Sequence, residues 1–326
     1  MAPPKSGGMT REQLDKFVKG HARVGARVLD RNLNQQPIGL LKAFPVDPNL
    51  ASEKIDHYER YSNPGVMNQP LDGPGETTKW DFKYSSKDMV NSWDKFTYWI
   101  PDSAKSAAAV NRFARDGLKD SQDYFTACRI YKILSELKSK RATANTHAAG
   151  TENGESASVW GVDGSADAES GIVKAIKTIV STTGLDPEQN TFGIAYPSEV
   201  LDEFKQLDVI HQVVQQLSEY LKVAWRLNLY AVTPYMDSAG AAVIDIAGTT
   251  SSDILDTSAL VFVEGEQTLL AGEYRPEDIL LNETSRVHAQ GYITTFKQCF
   301  EALVIPTDGT SNGKSKLIYE VTGVTS

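Results

Sequence analysis

ADAESGIVKAIKTIVSTTGLDPEQNTFGIAYPSEVLDEFK, residues 166–205, is the stretch on which the reading of this chain turns. Its first half repeats apolar residues at helical spacing. Ile172, Ala175, Ile176 and Ile179 fall on one side of a helix over 166–184, and Gly184 supplies its stop. TFGIAY (191–196) then reads as a short apolar strand. Pro197 suits a first helical turn, and Val200, Leu201 and Phe204 form the apolar side of a short helix. A second helix is expected over 207–226, burying Ile210, Val213, Val214, Leu217, Leu221 and Ala224. The run contains no nucleophile, metal cluster or glycine-rich loop.

Strands are expected C-terminal to this stretch at LYAVTPY (229–235), AAVIDIA (241–247), ALVFVEG (259–265), YITTFKQCFEALVI (292–305) and KLIYEVTG (316–323). On its N-terminal side, residues 142–165 are small and polar and read as a loop. Before them Asp102 caps a long helix whose stripe runs through Ala107, Val110, Ala114, Leu118, Phe125, Cys128, Ile130, Tyr131, Leu134 and Leu137. Continued to about residue 140, it spans roughly 57 Å. It lacks sustained a/d heptads, so a spine against which other elements pack is favoured over a coiled coil. Clustered helices with an antiparallel finish make the fold class α+β.

ETTKWDFKYSS (76–86) and DMVNSWDKFTYWIP (88–101) are expected to pair with each other as a β-hairpin. Trp80, Phe82 and Tyr84 alternate with Asp81 and Lys83, giving one sticky face and one wet face. A two-stranded ribbon is marginal alone in water and needs something to lie on. Residues 34–75 carry Pro37, Pro45, Pro48, Pro64, Pro70 and Pro74 and read as irregular. Residues 10–32 open with Thr10 and Gln13 at capping-box spacing. In that amphipathic helix Lys16, Lys19, Arg23, Arg27 and Arg31 oppose Leu14, Phe17, Val18, His21, Val24, Val28 and Leu29. The basic face suits DNA phosphates, an acidic partner segment such as a scaffold, or simply water.

The 326 residues are 40% hydrophobic and 23% charged, a globular composition with room for a large core. Of the net charge of −9, residues 1–42 hold eight Lys/Arg against three acids, or +5; the remainder is −14. An acidic body repels nucleic acid, so the basic arm is a separate electrostatic object. No apolar run is long enough to span a bilayer and no signal-peptide core is visible, so the product is expected in the cytoplasm. Cys128 and Cys299 are too few for a disulfide framework or a thiolate zinc site, and are expected as buried thiols. The Walker, dinucleotide, zincin and nucleophile-elbow motifs are all missing, and His21, His57, His147, His211 and His288 are scattered. No catalytic residue, cofactor or metal ligand is therefore assigned, and no enzymatic activity is expected.

The helix of residues 166–189 followed by NTFGIAYPSEVLDEFK resembles a recurrent segment of the major capsid proteins of tailed double-stranded DNA viruses, the Hong Kong 97 phage type. In that family a Pro commonly precedes Asn-Thr; here Glu188-Gln189 stands before Asn190, so the likeness is one of pattern. The resemblance implies an N-terminal arm over 1–50, an extended loop over 51–101, a peripheral domain with the spine helix over 102–188, an axial domain over 189–285 and return strands over 286–326. It implies self-assembly through pentamers and hexamers into an icosahedral shell around packaged DNA, in a virion assembled in the host cytoplasm. The partners would be further copies of the chain, a separate scaffolding protein, a portal and cement proteins. Trp80, Phe82, Tyr84 and Trp93 become candidate assembly residues, and Lys16, Lys19, Arg23, Arg27 and Arg31 candidate contacts to DNA or scaffold. Some relatives link an extended-loop Lys covalently to a neighbour's Asn; Lys79, Lys83 and Lys87 are placed for this, although solvated lysines explain them as simply. The rival readings are an encapsulin-type compartment and a soluble α+β enzyme, which electron microscopy separates by the presence and content of shells.

Overall fold

The computed structural model describes residues 37–50, 52–61, 81–89, 93–101, 107–151, 159–160, 168–198, 200, 226–236, 242–244, 254–255, 257–274, 282–286, 291–307 and 312–325. The helix expected over 10–32 lies outside these residues. So does that over 207–226, apart from Arg226, which opens a strand. The described helices are α1 (Ile38–Lys42), α2 (Ala107–Lys140) and α3 (Ala168–Thr183). The strands are β1 (Val46–Leu50), β2 (Lys54–Tyr61), β3 (Asp81–Asp88), β4 (Trp93–Pro101), β5 (Thr146–Ala148), β6 (Thr191–Pro197) and β7 (Arg226–Val232). Then follow β8 (Tyr235–Met236), β9 (Ala242–Ile244), β10 (Ala259–Val263), β11 (Leu269–Tyr274), β12 (Asn282–Arg286), β13 (Gly291–Val304) and β14 (Ile318–Thr322).

The stretch that opened the sequence reading builds the centre. α3 ends at Thr183, with Gly184 at φ +70°, where a side chain would be strained. β6 enters a five-stranded sheet ordered β5-β14-β10-β6-β7. Its inner strands β6, β10 and β14 are buried on both faces, and alternate residues divide between two cores. Phe192, Ile194, Ala259, Val261, Val263, Tyr319 and Val321 pack with Ile172, Ala175, Ile176 and Ile179 of α3. Ala195, Leu260, Phe262 and Ile318 face the other way, into the core formed with Ala127, Ile130, Ile133, Leu134 and Leu137 of α2. Gly193 stands opposite Phe262, whose buried ring lies where a Cβ would be; only glycine lets the ring cross β6.

The second sheet runs β1-β11-β13-β12, with β4 also on β13. β13 holds it together: it pairs antiparallel with β11 over Phe300–Val304 and with β12 and β4 over its first part. Phe300, Ala302 and Val304 close the α2 core from this side.

Five expectations are corrected. The segments 76–86 and 88–101 do not pair with each other: β3 pairs with β2, and β4 pairs with β13. α1, β1 and β2 all lie inside the proline-rich segment read as irregular: Pro37 precedes α1, Pro48 sits within β1 where its register on β11 shifts, and no proline enters β2. Ser85-Ser86-Lys87, read as the break between strands, is interior to β3. Tyr131, placed on the apolar stripe of α2, is 38% exposed. β5 lies in the stretch read as loop, recruited as a parallel edge to β14.

Candidate assembly surface

The β2–β3 ribbon is two-faced. On its inner side Ile55 and, just past β3, Met89 are buried with Cys299 and Leu303, while Leu50, Trp93, Leu270 and Tyr274 pack around them. Ser85, on the same side, is 3% exposed. On the outer side Tyr58 is 67% exposed, its ring centroid 4.9 Å from that of Tyr84. The register explains the contact. Ser86 turns its N–H outward, donating to Asn312 Oδ1 at 2.8 Å, so Asp56↔Ser86 and Tyr58↔Tyr84 are the close-set, non-hydrogen-bonded pairs. The Tyr84 hydroxyl donates to Asp56 Oδ1 at 2.7 Å, and Lys54 Nζ sits 5.2 Å from the Tyr84 ring centroid and 3.6 Å from Asp56. The Tyr84 hydrogen bond, assisted by the Asp56 charge, holds the Lys54 ammonium above its ordinary range. The outer face is thus an ordered aromatic pair with its charges already satisfied.

α2 supplies the support. Arg129 donates to Gln298 Oε1 (2.8 Å) and Glu273 Oε2 (3.0 Å), and Lys132 to Asp94 Oδ2 (2.9 Å) and the Phe300 carbonyl (3.1 Å). Beyond them Lys138 and Arg141 converge on buried Glu320, at 3.5 and 2.7 Å. From the ribbon, Lys87 Nζ reaches Glu136 Oε2 at 2.9 Å. Burial alone would lower the Lys87 pKa, but the hydrogen bond and charge of Glu136 outweigh it and raise the value. These side chains tie one helix to β3, β4, β11, β13 and β14.

Of the expected assembly residues, Tyr84 lies on the outer face of the ribbon and Phe82 pairs across from Arg60 in the backbone register. Trp93 is half-buried within its own subunit, edge-on to Tyr274 at 6.5 Å. Trp80, Lys79 and the five basic residues Lys16, Lys19, Arg23, Arg27 and Arg31 lie outside the described residues. Lys83 stands opposite Glu59 in the ribbon. The sequence reading missed Lys54, Asp56 and Tyr58, because the apolar positions of KIDHYERY, Ile55, Tyr58 and Tyr61, do not alternate and give no period-two signal. Both cysteines are buried thiols; burial pushes Cys128 up to about 12 and Cys299 to about 11, so neither is reactive near neutrality. Among the described residues, no group of three or more His, Cys, Asp or Glu is placed to hold a metal, and no helix is long and apolar enough to cross a membrane.

No protein-family model matches the chain, and no curated protein matches it. Solved structures do. A phage-related protein from Bordetella bronchiseptica RB50 aligns over 87% of this chain and 90% of its own at 10% identity, with a TM-score of 0.51. The capsid of cyanophage P-SCSP1u aligns over 87% of each chain at 11% identity and a TM-score of 0.51. The chain has the Hong Kong 97-type capsid fold. The head structure of Helicobacter pylori bacteriophage KHP40 shares this fold over 89% of this chain and 92% of its own, at 10% identity and a TM-score of 0.50. Only the course of the backbone is common at such identities.

Proposed function

We propose that the chain is the major capsid protein of a tailed double-stranded DNA virus, assembling through pentamers and hexamers into an icosahedral shell around the packaged genome. The observation that carries this is the alignment with a phage capsid over 87% of both chains. The exposed tyrosine pair on the ribbon supports it, since an ordered aromatic face is suited to burial on a further copy. On this reading residues 1–50 are the arm, 51–101 the extended loop, 102–188 the peripheral domain with α2 as its spine, 189–285 the axial domain and 286–326 the returning strands. Trp80, Phe82 and Tyr84 contact the neighbour, whereas Trp93 braces the root of the loop. Lys16, Lys19, Arg23, Arg27 and Arg31 face DNA or a separate scaffolding protein; portal and cement proteins complete the particle, assembled in the host cytoplasm. The protein does its work as structure, without catalysis.

The test is to overexpress the full chain and examine it by negative-stain electron microscopy and light scattering. Shells, tubes, hexamers or pentamers are expected. A monodisperse monomer or dimer across a wide concentration range overturns the reading.

A further inference from the structure

The ribbon is joined to its subunit at two places of different character. One is a root: Ile55 and Met89 sit in the cluster with Cys299 and Leu303, the Met89 N–H donates to the Glu53 carbonyl (3.0 Å), and Lys87 is paired with Glu136. That ion pair is only half satisfied, since Glu136 Oε1 is buried with no hydrogen-bond partner among the described residues.

The other place is the turn at Asn312, far away in sequence. Asn312 is the one non-glycine residue at positive φ (53°) among the described residues, a conformation asparagine tolerates better than most. It grips the ribbon twice: its Oδ1 accepts the Ser86 N–H, and its own N–H donates to the Ser85 hydroxyl oxygen at 3.1 Å. From the body, Lys140 Nζ donates to the Asn312 carbonyl at 2.8 Å. The flanking chain is fastened to the end of α2 through Ser315 N–H to the Lys140 carbonyl (2.7 Å), Ala142 N–H to the Ser315 carbonyl (2.9 Å) and Lys314 Nζ to Thr143 Oγ1 (2.7 Å). Asn312 itself is exposed. The turn is therefore fixed on the side of the spine helix and holds the ribbon by two neutral hydrogen bonds, the Ser86 one exposed to water and the Ser85 one partly buried, each individually weak.

We propose that Asn312 is a clasp that sets the angle of the ribbon on its own subunit, and that its opening lets the ribbon turn about the Lys87–Glu136 root to meet a neighbouring copy. The second half rests on the assembly reading above; the first does not. The apolar root resists separation because Ile55 and Met89 are fully packed, so release of the clasp changes the direction of the ribbon without unfolding its base. The clasp also occupies an outward-facing N–H of β3, a group otherwise free to pair with an incoming strand.

The test uses the full-length chain carrying Asn312→Gly, which keeps the positive φ and removes the side-chain acceptor, beside Asn312→Asp, which keeps both. Amide hydrogen exchange is read on unassembled subunits at Ser86 and, as an internal reference, at Leu260 and Val261 in β10. Asn312→Gly is expected to speed exchange at Ser86 roughly tenfold, the factor for one lost hydrogen bond, with the reference amides unchanged. Asn312→Asp is expected to stay within about twofold of the parent at every site. An unchanged Ser86 rate in Asn312→Gly, or equal acceleration at Leu260, overturns the clasp. Shells of Asn312→Gly that match the parent in diameter and yield overturn the turning of the ribbon. If the parent chain forms no assembly at all, the assembly reading falls together with the ribbon's docking, and the exchange result still decides the clasp.

Discussion

Tyr58→Thr is the substitution that most sharply separates subunit stability from assembly. Tyr58 is 67% exposed, so the subunit itself gains little from the ring. An aromatic side chain offers about 150–250 Å² for burial, which leaves on the order of 130 Å² of Tyr58 for a neighbour to cover. At about 25 cal/mol/Å² that is worth about 3 kcal/mol. Ordering of the contact and imperfect desolvation of the phenol reduce the net to about 1–2 kcal/mol, or about tenfold in the assembly constant. Within the subunit the change removes only the cross-strand pairing with Tyr84, worth about 0.5–1 kcal/mol, and threonine keeps the strand propensity. Light scattering against protein concentration measures the assembly threshold, and urea unfolding measures the subunit. The threshold is expected to rise about tenfold while the urea midpoint barely moves. A variant that assembles at the parent's threshold would show that the outer face of the ribbon meets no neighbour.

Two further predictions concern the subunit itself. Gly193→Ala places a Cβ against the buried Phe262 ring, 2.7 Å from its Cζ, so the chain should lose about 1–3 kcal/mol in urea unfolding. Phe262→Leu in the same background should recover part of that loss; simple additivity of the two changes refutes the contact. Stability should also decline in alkali. Burial pushes Cys128, Tyr124 and Tyr235 up to about 12, whereas in the unfolded chain the groups titrate at their ordinary values of 9.0 for cysteine and 10.0 for tyrosine. The folded chain then holds protons that the unfolded chain has released. The stabilisation is complete below pH 9 and is lost as the pH rises towards 12, by up to about 1.4 kcal/mol per pH unit for Cys128 and by less for the half-exposed tyrosines. Urea midpoints that stay level between pH 8.5 and 10.5, values chosen to bracket roughly the onset of thiol ionisation, refute the burial argument.

Local patterns were legible wherever an element's own spacing declared it. Ile172, Ala175, Ile176 and Ile179 specified α3 and its buried side, and TFGIAY specified β6 as a strand without polar alternation after Thr191, because β6 is covered on both faces. Partnership was not legible. β4 lies next to β3 in sequence yet pairs with β13, about two hundred residues away, and nothing in FTYW says which strand will receive it. Prolines around KIDHYERY concealed β2, and with it Tyr58, although proline at a strand's flank costs no ladder bond. Tyr131 fits the apolar period of α2 but carries a hydroxyl and lies on the rim of the stripe, where the core no longer reaches. Asn312 was invisible for a different reason: its role comes from a turn brought against Ser85 and Ser86 by the fold, and no window of sequence contains both partners.

The pairing of β4 with β13 has a mechanical consequence. Nine residue pairs, from Trp93↔Cys299 to Pro101↔Gly291, link the two strands, and β13 continues without interruption into its ladder with β11. A pull directed along β4 therefore loads the whole row of backbone bonds in shear, and these must fail together. A wall built from such parts would meet pressure from within with its stiffest element, and the weaker, peelable contacts would be left to adjust before the load arrives.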